Sequence, residues 1–511
     1  MGDTNCNRLQ FPRWLRASAS AMVAIVLCSS MGCKTWQKAH ESAVSQFGSG
    51  DMAVVRASLD ESQNSLRAEK KLLELDQGIL DLASGNVQQA EGRFRILRHE
   101  LEHLEQKDIT EQASSLLTDS RAVAFSGRDY ERRMILNMAL LTSLLGDGQD
   151  SFAYSLQVTE ASAARRDAIV AATQKASGSS TLSDNVSTGI ASPAVTPASF
   201  AANATAKGTT NSISSSALDQ PLALSSYLAA AVQSETPSRQ LETDRALADI
   251  GFWNPAYSRH DEANFNGEFG TRCKQGNGTL HVIALVGKAP RWVSESAEPT
   301  SAALLVADRI ISMTGRHTLP PTIASVKVAR PEPYGNAIPV GGLKCNVSPS
   351  AASANAVTPS LIFSTLVNLN DVAQASYSEH RDEEIGAAIA RRVLKKGAVY
   401  VLKEAQNISN NSLVDLGINA AGVAWEAMEK PDTRSWRMLP GRIDIARTEL
   451  PEGEWFTTLQ VASYGASGPP QSIPIHIEDG RNTYVLCIIP DRQFTGHILV
   501  GGAERSVLPI K

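Results

Sequence analysis

The sequence predicts a multidomain α+β protein, with an N-terminal α-solenoid like a tetratricopeptide repeat (TPR) array and then a mixed α/β part ending in an antiparallel β module. Three observations predict this class. Apolar residues recur at helical spacing between residues 39 and 172. Short apolar runs typical of strands begin after Gly276. Residues 431–511 alternate apolar and polar side chains between Gly- and Pro-containing turns.

Residues 1–32 have the organisation of a bacterial lipoprotein signal peptide. Three arginines precede the apolar run Ala17–Leu27, and small residues lead directly to Cys33. The run is shorter than the ~20 apolar residues that a membrane-spanning helix needs. We therefore predict a lipobox in which Cys33 becomes lipidated, with acyl chains such as palmitate as the membrane anchor. The alternative is ordinary signal cleavage, in which Cys33 has no special role.

Residues 33–172 are predicted to form the TPR-like helical region. One apolar stripe consists of Leu72, Leu75, Ile79 and Leu82, and short turns such as Ser84–Asn86 separate the helices. One unit carries small and aromatic residues at offsets that fit a tetratricopeptide repeat, namely Gly78, Gly85, Ala90 and Phe94. The other units fit less well, so the pattern predicts a solenoid-like region.

Four further segments complete the predicted organisation. Residues 173–217 are rich in Ser, Thr and Ala with few apolar side chains, which predicts a disordered linker or insertion. Residues 218–256 predict a helical pair. Residues 276–430 predict strands plus a two-helix segment, the second helix spanning 413–427. Residues 431–511 predict the β-rich C-terminal module.

Charge and cysteine content exclude several classes of function. Removal of residues 1–32 changes the formal net charge from −5 to −7, which argues against nucleic acid as a partner. Three cysteines besides Cys33 remain, namely Cys273, Cys345 and Cys487. The sequence leaves open whether two of them form a disulfide bond. No motif predicts a cofactor.

One motif has the spacing of a zinc site. His99 and His103 flank Glu100 in an H-E-x-x-H pattern, which on a helix places two imidazoles on one face. Glu102, Arg95 and Arg98 make this helix charge-rich, so we interpret it as a solvated helix and predict no bound metal. Since no nucleophile elbow, P-loop or dinucleotide fingerprint occurs either, the sequence predicts no enzyme.

The most specific stretch is Pro431-Asp-Thr-Arg-Ser-Trp436. Pro431 ends the preceding helix, and Asp432 suits a turn. We expect Arg434 to pair with Asp432 or with a buried carboxylate. Trp436 is expected to pack between the helices and the β module, contributing ~2–3 kcal/mol when fully buried. A ligand or partner surface is the alternative role for Asp432, Arg434 and Trp436.

With its continuation through Leu439–Pro440 and Ala446–Arg447, this stretch resembles an uncharacterised family of bacterial envelope lipoproteins. That family has a TPR-like N-terminal half and a C-terminal D-T-R-S-W-x-x-L-P segment. Partial matches at residues 127–132 and 287–290 extend the resemblance over most of the mature chain. The resemblance implies an envelope lipoprotein without known catalysis and suggests a link to cell-wall synthesis.

Together, these observations predict a lipid-anchored adaptor or scaffold that binds an envelope protein and lies at the periplasmic face of the outer membrane, because Lys34 rather than Asp follows Cys33. Two alternatives remain open. One is a peptidoglycan- or glycan-binding protein that uses Trp292 or Trp455, and the other is a zinc metallopeptidase. The oligomeric state is not predicted.

Overall fold

A computed structural model describes residues 38–64, 69–106, 125–180, 215–264, 273–314, 324–334, 338–350, 359–405, 430–463 and 466–510. The predicted signal peptide, Cys33 and the predicted helix 413–427 lie outside these residues, as do residues 181–214 of the predicted linker. Over the described residues, the protein is a mixed α/β protein.

The described residues contain eleven α-helices after a helical stretch at 38–46. They are Met52–Gln63 (α1), Lys70–Ala83 (α2), Val87–Gln106 (α3), Asp129–Leu145 (α4), Ser151–Ser180 (α5), Ser215–Leu218 (α6), Gln220–Ser234 (α7), Gln240–Trp253 (α8), Pro255–Asn264 (α9), Ser301–Thr314 (α10) and Leu369–Ala405 (α11).

The α2–α3 pair forms as its local sequence predicts. The apolar stripe that starts at Leu72 is buried along α2, and Gly85 takes a left-handed φ of 81° in the turn that follows. Gly78 lies directly against the Phe94 ring, since a Cβ at this position would approach that ring to 2.6 Å. The small residue therefore permits close contact between α2 and α3.

The strands of the described residues form three sheets. They are Asn277–Val286 (β1), Arg291–Ala297 (β2), Val326–Glu332 (β3), Leu343–Pro349 (β4), Ser360–Leu361 (β5), Ser364–Asn368 (β6), Arg442–Pro451 (β7), Gly453–Ser463 (β8), Ala466–Ser467 (β9), Gln471–Ile477 (β10), Asn482–Ile489 (β11), His497–Gly501 (β12) and Ser506–Pro509 (β13). The central sheet has the order β13-β12-β11-β1-β7-β6, and a second sheet the order β10-β8-β4-β5.

Strand β1 lies in the middle of the central sheet and joins regions that the sequence divides. It runs parallel to β11, with Val286 opposite Ile489, and antiparallel to β7, with Val286 opposite Arg442. The central sheet is therefore mixed, whereas the sequence predicts an antiparallel C-terminal module. The predicted boundary at residues 430 and 431 does not separate two sheets, because local periodicity carries no information about strand pairing over 200 residues.

The two faces of the central sheet pack against different partners. Alternate residues of β1, beginning at Leu280, face the second sheet and form a β-sandwich core with strands β4, β8 and β10. Ile283 and Leu285 face the other way, into a core shared with α1 to α5, α7 and α8. The described residues thus form helices over a central sheet over a second sheet, and a TPR-like solenoid is not shown.

A smaller unit lies beside these layers. Strands β2 and β3 pair only with each other among the described strands, and α10 and α11 pack beside them around Ala303, Val328 and Ile385. Gly386 permits close contact between the two helices, because a Cβ there would lie 2.7 Å from the carbonyl oxygen of Ala303.

The predicted linker and helical pair differ in detail from the structure. Helix α5 extends to Ser180 and α6 begins at Ser215, so both ends of segment 173–217 are helical. The predicted pair at 218–256 contains α7 and α8 and is followed by a third helix, α9. Continuous 3.6-residue periodicity is weak in Ala- and Ser-rich helices such as α5, so the sequence does not locate the end of this helix.

Candidate functional site

Segment 431–436 lies between the helices and the start of β7, and it is largely buried without regular secondary structure. Backbone N–H groups that follow the turn are bound by carboxylates from two helices. Trp436 donates its N–H to Glu131 of α4 at 2.7 Å, and Met438 donates to Asp76 of α2 at 2.8 Å. The segment is therefore fixed by side chains more than 300 residues away in sequence.

Glu131 is the central acceptor at this junction. One carboxylate oxygen accepts the Arg128 N–H at 2.8 Å, as in a helix capping box, and the other accepts from Trp436. The side chain is only 1% exposed, and this burial raises the pKa of Glu131, although its two N–H donors oppose the shift. Glu131 thus joins the start of α4 to segment 431–436.

Trp436 lies in the core between the helices and the sheet. The side chain has no exposed surface, and its ring lies 5.8 Å from that of Phe94. This is the packing position that the sequence predicts for Trp436.

The predicted ion pair of Arg434 is confirmed. Two guanidinium nitrogens donate to the two oxygens of Asp432, at 2.8 and 2.6 Å, and the third donates to Glu69 at 2.6 Å. The Asp432 carboxylate also accepts the Arg434 backbone N–H at 3.0 Å, which closes the predicted turn. Bidentate geometry of this kind is specific to arginine.

Asp432 and Arg434 line a cleft of about 340 Å³. Its walls come from residues 125–128, which precede α4, from β3, from α11 and from segment 431–434. The lining residues are Phe125, Ser126, Gly127, Arg128, Lys327, Val328, Ala329, Glu384, Ala387, Arg391, Pro431, Asp432 and Arg434. Four of these side chains are cationic and two are carboxylates.

The Arg128 guanidinium is held at the cleft by an aromatic ring, a backbone carbonyl and a carboxylate. Its guanidinium lies 3.3 Å from the centre of the Trp292 ring, a cation–π contact. It donates to the Asp432 carbonyl at 3.2 Å and lies 3.7 Å from the Glu384 carboxylate. The Trp292 indole in turn donates to the Tyr130 hydroxyl at 3.2 Å. Arg128 is therefore positioned before any ligand arrives.

The remaining charged groups stand on β3 and α11. Lys327 is exposed, and Arg391 is half-buried. Burial raises the pKa of Glu384, although the charge of Arg128 opposes this shift. Along the cleft, the four cationic side chains outnumber the two carboxylates. This balance of charge favours an anionic ligand.

The other residues singled out in the sequence do not assemble a site. His99 and Glu100 are exposed on α3, and Glu100 pairs with Lys71 at 3.3 Å. The His103 side chain lies outside the described residues. Over the residues that the structure describes, no group of three metal-ligating side chains occurs.

The glycan hypothesis required exposed tryptophans, and the structure buries both. Trp292 is 4% exposed beneath Arg128, and Trp455 is 5% exposed in the sandwich core. The three described cysteines are free thiols: Cys345 and Cys487 are buried, and Cys273 is half-buried.

Sequence reasoning missed most of the cleft. Arg128, Lys327, Glu384 and Arg391 come from three distant segments, and no local motif connects them. The one available signal was the glycine-plus-aromatic match at residues 127–132, which contains Arg128 and Glu131.

Comparisons with protein-family models, with curated proteins and with solved structures found no match. None of the helices in the described part of the chain is both long enough and apolar enough to cross a bilayer.

Proposed function

We propose that the protein is a lipid-anchored adaptor of the bacterial cell envelope that binds another envelope protein at the cleft and catalyses no reaction. The observation that carries this proposal is the position of segment 431–434. The most specific stretch of the sequence lines a cleft of about 340 Å³, beside Arg128 and Lys327. A motif that served packing alone would have no need to face this cleft.

The rigidity of the cleft supports binding. Arg434 is held by Asp432 and Glu69, and Arg128 is held by Trp292 and Glu384. Because these side chains are already ordered, they would lose less conformational entropy when a partner docks than mobile side chains would. The smaller entropic cost favours binding of a partner at this surface, as an adaptor requires.

The anchor rests on the sequence of residues 1–33. A diacylglyceryl group on Cys33 together with a further acyl chain would hold the protein stably on a membrane, since each buried CH₂ contributes ~0.8 kcal/mol. Because Lys34 rather than Asp follows Cys33, the proposed location is the periplasmic face of the outer membrane. The resemblance to envelope lipoproteins supports a link to cell-wall synthesis, and the α2–α3 pair is the part that supports TPR-like character.

Neither alternative gains support from the structure. A sugar ring has no access to Trp292 or Trp455 in their buried positions. In the zinc hypothesis, His99 and His103 bind the metal and Glu100 acts as the base. In the structure, the Glu100 carboxylate instead pairs with Lys71.

Labelling and cross-linking in intact cells test this proposal. Tagged wild-type protein is expected to incorporate radioactive palmitate and to cross-link to one dominant envelope protein. Cys33→Ser is expected to lose the label and to weaken the cross-link. An unlabelled wild-type protein would contradict the anchor, and the absence of a partner in both samples would contradict the adaptor.

A further inference from the structure

Arg128 is oriented in the cleft but only loosely paired there. Its Nη2 donates to the Asp432 carbonyl, and its contact with the Trp292 ring fixes the position of the guanidinium. Its Nη1 approaches the Glu384 carboxylate to 3.7 Å, which is longer than a hydrogen bond. A closer anionic group would therefore gain more from Arg128 than Glu384 does.

The charged side chains around this pair are open to solvent. The side chains of Arg128 and Glu384 are 20% and 33% exposed, and Lys327 of β3 is exposed. Glu384, Ala387 and Arg391 follow one another at helical spacing, so they present one face of α11 to the cleft. A ligand can therefore reach cationic groups on more than one wall of the cleft.

The positive charge of the cleft is not balanced by its own carboxylates. Asp432 is engaged by the bidentate pairing with Arg434, which Glu69 binds as well. Among the described residues, Lys327 forms no ion pair. Glu384 is therefore the one lining carboxylate left to face the other cations of the cleft. The cleft keeps a net positive charge that attracts an anionic group.

The size of the cleft restricts such a group to a compact one. Ligand pockets usually measure roughly 300–1,000 Å³, so a cleft of about 340 Å³ is a small one. It accommodates a short side chain or the end of a chain. Since the proposed partner is a protein, the anionic group that fits is a carboxylate, which arginine binds through charge-assisted hydrogen bonds.

We propose that the cleft receives one carboxylate of the partner protein, from an acidic side chain or from its C-terminus, and that Glu384 competes with this carboxylate for Arg128. This inference rests on the proposed adaptor function and specifies what the partner presents. Lys327 and Arg391 attract the incoming carboxylate, and Glu384 opposes it by like-charge repulsion. Removing the charge of Glu384 should therefore strengthen binding.

Saturation-transfer difference NMR with the full-length protein in detergent tests the inference, because this method detects weakly bound ligands. One probe is a five-residue glycine peptide with a central glutamate and both ends capped. Its comparison peptide carries glutamine instead. A second probe is pentaglycine with a capped N-terminus and a free C-terminal carboxylate, and its comparison peptide is the C-terminal amide.

At least one carboxylate peptide is expected to bind, with its uncharged counterpart about tenfold weaker or more, since the counterpart lacks the charge that the cations attract. The probe that binds more tightly identifies the source of the carboxylate as a side chain or as a chain end.

Two substitutions in the cleft should act in opposite directions on the tighter-binding probe. Glu384→Gln is expected to strengthen binding about threefold or more, and Lys327→Gln is expected to weaken it by a similar factor. A loss of stability would not produce tighter binding, so the gain in Glu384→Gln separates competition from unfolding. The matched controls are Glu454→Gln and Lys344→Gln, which change exposed residues outside the cleft and should bind as wild type does.

Equal binding of the charged and uncharged peptides, absent binding of every peptide, or unchanged affinity in Glu384→Gln would each overturn the inference. If these measurements fail while cells still yield a cross-linked envelope partner, the adaptor function stands and only the carboxylate inference falls.

Discussion

The two faces of the central sheet are built in different ways. The face toward the second sheet is a predominantly apolar sandwich core, in which Leu280, Val282 and Ala284 meet the inner residues of β4, β8 and β10. The face toward the helices also buries polar and titratable side chains, including Asp76, Glu131 and His281.

This difference shows where the fold is specified by shape and where by polar pairing. An apolar core tolerates changes that preserve volume. A buried carboxylate that accepts backbone N–H groups fixes one arrangement of two chain segments, because losing the acceptor leaves buried donors without a partner. The cleft lies on the polar side, at the segment that Glu131 and Asp76 hold in place.

The largest expected effect compares one tryptophan from each side. Trp436→Ala and Trp455→Ala should each lower the free energy of unfolding by ~3–5 kcal/mol, the usual cost of truncating a buried aromatic. Denaturant unfolding measures this change. Only Trp436→Ala is expected to reduce partner recovery as well, since Trp436 anchors the end of the segment whose residues 431–434 line the cleft.

Trp436→Phe is the control for that pair, because it keeps most of the buried apolar surface. Unchanged unfolding of Trp436→Ala together with lost partner binding would contradict the packing role of this residue.

A smaller effect is expected at the buried carboxylate. Glu131→Gln replaces one of two acceptor oxygens by an NH₂ group, so one buried N–H loses its acceptor, at a cost of ~1–3 kcal/mol. Thermal or urea unfolding at pH 7 measures it. Glu454→Gln changes a carboxylate that is 61% exposed and should stay within about 0.5 kcal/mol of wild type. Equal stability of the two variants would show that polar pairing does not specify the helical side.

On the sandwich side, we expect the buried thiols to react only when the protein unfolds. Burial raises the pKa of Cys345 to about 12 and also raises the pKa of Cys487, so neither forms a thiolate near neutral pH. Cys273 is half-buried and should react first with an alkylating reagent in the native protein. Mass spectrometry of the labelled peptides reads out the order. Native labelling of Cys345 or Cys487 would show that the sandwich core opens.

The smallest expected effect is a pH dependence at the cleft. Because burial raises the pKa of Glu384 above 4.5, its protonated form is favoured in the folded state. The contribution of Glu384 protonation to the free energy of unfolding is fully present below about pH 4.5, and it is lost as pH rises through the pKa of Glu384 in the folded protein. The stability of wild type relative to Glu384→Gln should therefore fall as pH rises above about 4.5. A difference that rises over this range would contradict the burial of Glu384.

Local features of this chain could be predicted from its sequence, and distant pairings could not. The stripe of α2, the Arg434–Asp432 pair and the burial of Trp436 depend on neighbours within a few residues or on apolar character alone. The strands of residues 442–489 likewise follow from alternation.

The pairing of β1 with β11 and the meeting of Arg128 with Trp292 join segments that lie 160 or more residues apart. No periodicity or turn signal encodes such contacts, since they are decided by which surfaces pack when the whole chain folds. The sequence therefore predicts helices that stack on one another, whereas in the structure they cover the central sheet.

Site-specific photo-cross-linking in living cells tests the central claim most directly. A photoreactive amino acid would replace either Lys327 in the cleft or Lys344 on β4. We predict one dominant envelope protein cross-linked from position 327 and none from position 344. The same adducts from both positions, or none from position 327, would contradict binding at the cleft.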